Sequence, residues 1–94
     1  MNNQQINRVN NLVADLQNQG RVADLEIELK KMEHDTMSLE ELESWFYMLG
    51  IAAFQDRHEQ EALKRFQEAY TRFPQSADIR FSLGQQYIRT ESPR

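Results

Sequence analysis

Residues 46–74, FYMLGIAAFQDRHEQEALKRFQEAYTRFP, contain two apolar-rich segments separated by a short polar turn. In the second segment Ala62, Phe66 and Ala69 recur at steps of three and four residues, which places them on one face of an α-helix. Pro74 follows this segment and cannot continue a helix, and it also disfavours helical backbone in the residue before it. The stretch therefore predicts a pair of antiparallel helices.

The rest of the chain also favours helices, since helix formers dominate it and strand-like alternation is nearly absent. Apolar spacing predicts one helix from Ile6 to just before Gly20, a second that carries Val22–Met32, and a third opened by a capping box of Ser38 and Glu41. A fourth helix is expected from about His58 to Phe73 and a fifth from Ser76 or Ala77 to about Thr90. Residues 1–94 are accordingly predicted to form a single all-α domain of about five helices.

The helix pairs show an internal period. Leu49–Gly50 and Leu83–Gly84 lie 34 residues apart, a spacing typical of stacked helical repeats. The segment 43–76 resembles one complete tetratricopeptide repeat, with signature positions filled by Phe46, Leu49, Gly50, Ala62, Phe66, Ala69 and Pro74. Leu83, Gly84 and Tyr87 begin the motif again. The segment departs from the family pattern at Ala53, where tyrosine is preferred, and at Arg57, where the turn often has glycine.

The resemblance implies a short superhelix of stacked antiparallel helix pairs, closed by a capping helix at 77–90. Residues 6–39 are interpreted as a degenerate repeat. All eight of the signature positions in this segment are apolar, as the repeat requires, but none of them holds a small residue. Those positions are Val9, Leu12, Val13, Leu16, Leu25, Leu29, Met32 and Met37. A helical hairpin that is not a repeat, available for dimerisation, is the alternative interpretation.

In this family the first helices of successive repeats line a concave groove that binds peptide or helical segments of other proteins. Transferred by position, the groove residues here are Tyr47, Ile51, Phe54, Gln55, Asp78, Phe81, Gln85, Ile88 and Arg89. The degenerate repeat adds Asn7, Asn10, Ala14, Gln17 and Asn18. The subgroup that captures acidic tails has basic residues or asparagine where this chain has Tyr47, Ile51 and Phe81. We therefore expect a partner that inserts apolar side chains, either an amphipathic helix or an extended segment.

The predicted function is that of an adaptor or chaperone-like module that binds another protein through this groove. The alternative is a self-assembling structural subunit, in which a second copy of the chain covers the aromatic patch. Trp45 fits either the edge of the core or an interface. Phe46, Leu49 and Ala53 are expected to be core residues.

Charge and composition exclude several other classes of function. The net charge of -4 disfavours binding to nucleic acid, and the absence of cysteine is compatible with a cytoplasmic location. The longest uncharged apolar run, Trp45–Phe54, is half of the roughly 20 residues that a membrane-spanning helix needs. We expect no membrane insertion.

No catalytic or metal-binding motif is complete. His58–Ala62 begins like the HExxH zinc motif, but Ala62 stands in place of the second histidine. The sequence has no phosphate-binding glycine loop and no signature of a serine or cysteine nucleophile. We therefore expect no enzymatic activity, no metal site and no cofactor, with His58 and His34 as solvent-facing residues.

Overall fold

The computed structural model describes residues 7–91, which form five α-helices and contain no strand. The helices are α1 (Arg8–Asn18), α2 (Leu25–Lys31), α3 (Leu39–Gln55), α4 (Glu59–Arg72) and α5 (Ala77–Glu91), with 3-10 turns at Val22–Asp24 and His34–Thr36. The predicted all-α fold of five packed helices is confirmed. Residues 1–6 and 92–94, which belong to the predicted single domain, lie outside the described residues.

Two helices end in the same left-handed turn, although only one of them has the glycine that favours it. Gly20 has a φ of 69°, and the N–H of Arg21 donates to the Leu16 carbonyl at 2.8 Å, which closes the end of α1. Arg57 adopts a φ of 66° after α3, and the N–H of His58 donates to the Ala53 carbonyl at 2.9 Å. A side chain in this region costs about 1–2 kcal/mol, so the α3–α4 turn holds Arg57 under strain.

The start of α3 is fixed by a carboxylate that accepts hydrogen bonds from two segments of the chain. The predicted capping box is confirmed: Ser38 Oγ accepts from the Glu41 N–H, and Glu41 Oε1 accepts from the Ser38 N–H. Glu41 also accepts from the backbone N–H, Nε and Nη2 of Arg8, each at 2.9 Å. Buried Glu41 therefore joins the first turn of α1 to the first turn of α3.

The apolar residues form two clusters along the chain. The first is built by α1, α2 and the adjoining part of α3, and it includes all eight apolar positions predicted for residues 6–39. The second combines Ala53, Ala62, Phe66 and Leu83 from α3, α4 and α5. Helix α2 is shorter than the predicted second helix, because Val22 lies in the 3-10 turn and Met32 follows its end.

The pairing of α3 and α4 depends on a contact between Gly50 and Phe66. A methyl group built on Gly50 would lie 2.5 Å from Cε1 of Phe66, which is itself buried. Gly84, at the matching position of α5, has open space where its Cβ would be. A residue without a side chain is therefore required at Gly50 and not at Gly84.

Alanine substitutions at these two glycines are expected to have opposite effects. Gly50→Ala should lower the free energy of unfolding by about 1–3 kcal/mol, because the added methyl group would force the buried Phe66 ring out of its packed position. Gly84→Ala should raise it by about 0.5–1 kcal/mol through helix propensity alone. Urea unfolding followed by circular dichroism measures both values, and a loss of stability in Gly84→Ala would show that this face of α5 is covered.

The Glu41 contacts predict a loss of stability in acid. Hydrogen bonds from the Arg8 side chain, and then from the Arg8 and Ser38 N–H groups, lower the pKa of Glu41 from 4.5 to about 2. A carboxyl whose pKa is depressed in the folded state stabilises the fold above the unfolded pKa. This contribution should be complete above about pH 4.5 and disappear as the pH falls to about 2.

The measurement compares wild type with Glu41→Gln in urea titrations at several pH values. The variant should be less stable at pH 7, and the difference from wild type should shrink as the pH falls. Glu40→Gln, at an exposed position in the same helical turn, is the matched control and should follow wild type throughout. If the difference in stability between wild type and Glu41→Gln stayed constant down to pH 2, the lowered pKa of Glu41 would be contradicted.

Candidate functional site

A cleft lies between α3 and α5, on the helices that the sequence assigned to the groove. We call it the α3–α5 cleft. Its volume is about 210 Å³, and its lining residues are Ile51, Phe54, Phe66, Phe81, Ser82, Gln85, Gln86 and Arg89. Five of the nine predicted groove residues of α3 and α5 are thus brought together around one cavity: Ile51, Phe54, Phe81, Gln85 and Arg89.

The α3 wall of the cleft is partly built into the core. Tyr47, Ile51 and Phe54 are half-buried and pack against the second apolar cluster. The Tyr47 ring lies 6.2 Å from the Phe66 ring, and its hydroxyl accepts a hydrogen bond from Ser82 Oγ at 3.4 Å. This wall therefore has a position fixed by packing and still offers apolar surface to solvent.

The α5 wall is much more exposed. Phe81 is 67% exposed and Ile88 is 70% exposed, and they lie two helical turns apart on α5. Ile88 does not line the cavity itself, but it continues the same exposed apolar surface along the helix. Large apolar side chains that a domain leaves uncovered are a common mark of interaction surfaces.

One end of the cleft is held by a polar network around Glu59. Buried Gln86 donates from Nε2 to the Glu59 carbonyl oxygen at 3.0 Å and to its carboxylate at 2.7 Å. Arg89 donates from Nη2 to the same carboxylate at 3.2 Å, and its guanidinium carbon lies 4.8 Å from the centre of the Phe54 ring. The hydrogen bonds from Arg89, and then from Gln86, lower the pKa of the Glu59 carboxyl.

The opposite end is acidic. Glu43, Ser44, Tyr47, Ser76 and Asp78 surround a small depression beside the α3 wall. Among residues 7–91, neither the Glu43 nor the Asp78 carboxylate has an ion-pair partner. Asp78 and Arg89 are eleven residues apart on α5, so the two ends are separated by about 16 Å.

The other predicted groove residues occupy different surroundings. Gln55 is exposed at the end of α3 and does not line the α3–α5 cleft. Asn7 is the N-cap of α1, and its Nδ2 donates to Ser44 Oγ at 3.3 Å, which brings α1 to the acidic end. The rest of the α1 strip is exposed, namely Asn10, Ala14, Gln17 and Asn18.

Sequence reasoning missed Ser82 and Gln86, which line the cleft, and Glu59, which binds Gln86 at one end of it. Gln86 follows Ile79 and Leu83 at helical spacing, so its position on the buried face of α5 could have been predicted from the period. Its hydrogen bonds to Glu59 could not have been predicted, because they depend on how α4 and α5 pack.

Among the signature positions, two aromatics are less buried than the pattern implied. The prediction that Phe46 is a core residue is wrong, since it is half-buried and has the Arg72 guanidinium 5.1 Å above its ring. Tyr87 is exposed and its hydroxyl accepts from Gln67 Nε2 at 3.0 Å. Trp45 belongs to the edge of the first cluster and donates from Nε1 to the Leu29 carbonyl at 2.8 Å.

Comparisons with protein-family models, with curated proteins and with solved structures returned no match to this chain. The resemblance to the tetratricopeptide repeat therefore depends on the residues quoted above. Among the described residues 7–91, none of the helices has the length and apolar composition that a membrane crossing requires.

The two walls of the cleft predict different tolerance to substitution. Phe81→Ser and Ile88→Ser should each lower the free energy of unfolding by less than about 1 kcal/mol, because most of each side chain is already in solvent. Phe66→Ala, in the buried floor, should lower it by about 3–5 kcal/mol. Urea unfolding provides the measurement, and a large loss at Phe81 or Ile88 would mean that these residues are part of the core.

Proposed function

We propose that this chain is a tetratricopeptide-type interaction module that binds a helical segment of another protein in the α3–α5 cleft. The observation that carries the proposal is the pairing of the half-buried α3 wall with the exposed Phe81 and Ile88 of α5. A wall fixed by core packing lowers the cost of ordering on binding, and exposed large apolar side chains provide the contact energy.

The size of the cavity favours an inserted side chain over a free small molecule. Pockets for small ligands have volumes of about 300–1,000 Å³ and enclose most of the ligand. The α3–α5 cleft has about 210 Å³ and is open to solvent along α5. One large apolar side chain of a partner would occupy it.

The construction of the cleft favours a helix as the partner. Both walls are helices, whose backbone groups are already hydrogen-bonded, so the cleft has no free strand edge for an extended peptide. An amphipathic helix presents apolar residues at i, i+4 and i+7, which can reach the cavity and the more distant Ile88 together.

Charge indicates which kind of helix would bind. The carboxylates of Glu43 and Asp78 have no ion-pair partner among residues 7–91, whereas Arg89 at the other end is neutralised by Glu59. A lysine or arginine at one end of the partner helix would complement the acidic end and speed association. The net charge of -4 favours a basic partner in the same way.

The test uses a displayed library of amphipathic helical peptides with leucine or phenylalanine at i, i+4 and i+7 and a basic residue at one end. The affinity of the selected peptides is then measured by fluorescence anisotropy. Phe81→Ser and Ile88→Ser together should weaken binding at least tenfold, since each removes an exposed apolar contact. Changing Tyr47, Ile51 or Phe54 is less informative, because those side chains also pack against the core.

Ile27→Ser is the matched control, because Ile27 is 58% exposed on α2 and does not line the cleft. It should bind with wild-type affinity. If the chain carrying both Phe81→Ser and Ile88→Ser bound the selected peptides with wild-type affinity, the proposal would be contradicted. Sedimentation of the isolated chain tests the alternative of self-assembly. If the mass of wild type rises with concentration and that of the Phe81 and Ile88 variants does not, a second copy of the chain is favoured as the occupant of the α3–α5 cleft.

A further inference from the structure

We propose that Glu26, Asp56 and His58 form a binding site for a divalent transition-metal cation, with Zn²⁺ as the best match. The site lies away from the α3–α5 cleft, where the start of α2 meets the turn between α3 and α4. One carboxylate oxygen from each acid and one imidazole nitrogen lie within 4.8 Å of one another. Glu26 Oε1 and His58 Nδ1 are 4.0 Å apart.

The fold brings these residues together through the strained turn after α3. Arg57, with its φ of 66°, separates Asp56 from His58, and the reversed chain direction lets both side chains approach Glu26. The turn is closed by the hydrogen bond from His58 N–H to the Ala53 carbonyl. Because Asp56 and His58 are fixed at this turn, the cluster depends on the packing of α2 against it.

Charge in the cluster favours a cation. Two carboxylates whose oxygens approach within 4.8 Å repel each other unless a positive charge lies between them. Lys30 Nζ lies 3.3 Å from Oε2 of Glu26, which leaves Oε1 directed towards His58. Asp56 has no ion-pair partner among residues 7–91.

The donor set matches zinc better than calcium or magnesium. Zinc accepts imidazole nitrogen and carboxylate oxygen at about 2.0–2.2 Å, and three protein ligands leave a fourth position for water. Donors on one zinc ion are about 3.4 Å apart, so the atoms need to move by little more than an ångström. The His58 side chain is 60% exposed and free to make that movement. Calcium and magnesium require more oxygen ligands than the cluster offers.

A bound ion would connect α2 to the α3–α4 turn. It would join the α1–α2 hairpin to the helices that form the cleft at a point outside both apolar clusters. Since the unfolded chain does not hold the three donors together, metal binding should stabilise the fold.

The experiment titrates the metal-free chain with Zn²⁺ in a calorimeter and with Co²⁺ by visible absorption. We expect one ion per chain, a Co²⁺ spectrum of low coordination number, and no displacement by millimolar Mg²⁺. With free Zn²⁺ a hundredfold above Kd, the thermal midpoint should rise by about 10–20 °C. His58→Ala and Glu26→Gln should each weaken binding at least tenfold.

His34→Ala is the matched control. His34 Nδ1 lies 3.3 Å from Asp35 Oδ1, but this pair has no third ligand nearby among the described residues. The variant should bind Zn²⁺ as wild type does. The site assignment is overturned if wild type shows no saturable binding below millimolar Zn²⁺, or if His58→Ala and Glu26→Gln bind as tightly as wild type.

Discussion

The contact between Gly50 and Phe66 is the constraint on which the remaining arrangement of α3, α4 and α5 depends. A side chain at position 50 would meet the Phe66 ring at 2.5 Å, so the two helices reach their observed distance only because position 50 has none. Phe66 also forms the floor of the α3–α5 cleft. The same ring therefore sets the packing of α4 on α3 and the depth of the candidate binding site.

The cleft combines two walls with different physical roles. Tyr47, Ile51 and Phe54 are held by the core, so their surface is preorganised, whereas most of the Phe81 side chain is exposed to solvent. Binding energy at interfaces concentrates in a few large apolar side chains, and preorganisation reduces the entropy lost when they are covered. The Glu59 network adds to the preorganisation of the cleft, because it holds the Arg89 guanidinium over the Phe54 ring.

The α1–α2 hairpin is attached by different means. Its apolar positions resemble those of the repeat in pattern, but they contain no glycine or alanine that would allow helices to approach closely. Three polar contacts join it to α3, namely the Glu41 hydrogen bonds to Arg8, the Asn7 bond to Ser44 and the Trp45 bond to the Leu29 carbonyl. Helix α2 has seven residues and α4 has fourteen, so the α1–α2 hairpin differs from the full helix pair of α3 and α4.

The sequence by itself determined the five helices, because apolar spacing, the Ser38–Glu41 capping box, Gly20 and Pro74 act over a few neighbouring residues. The resemblance to the repeat, applied position by position, also named Ile51, Phe54, Phe81, Gln85 and Arg89 as groove residues, and these five line one cavity. Only the tertiary structure decided that Gly50 is covered and Gly84 is open, that Gln86 binds Glu59, and that His58 meets Glu26. Those outcomes depend on distances between helices that are remote in sequence, and no local pattern specifies such distances.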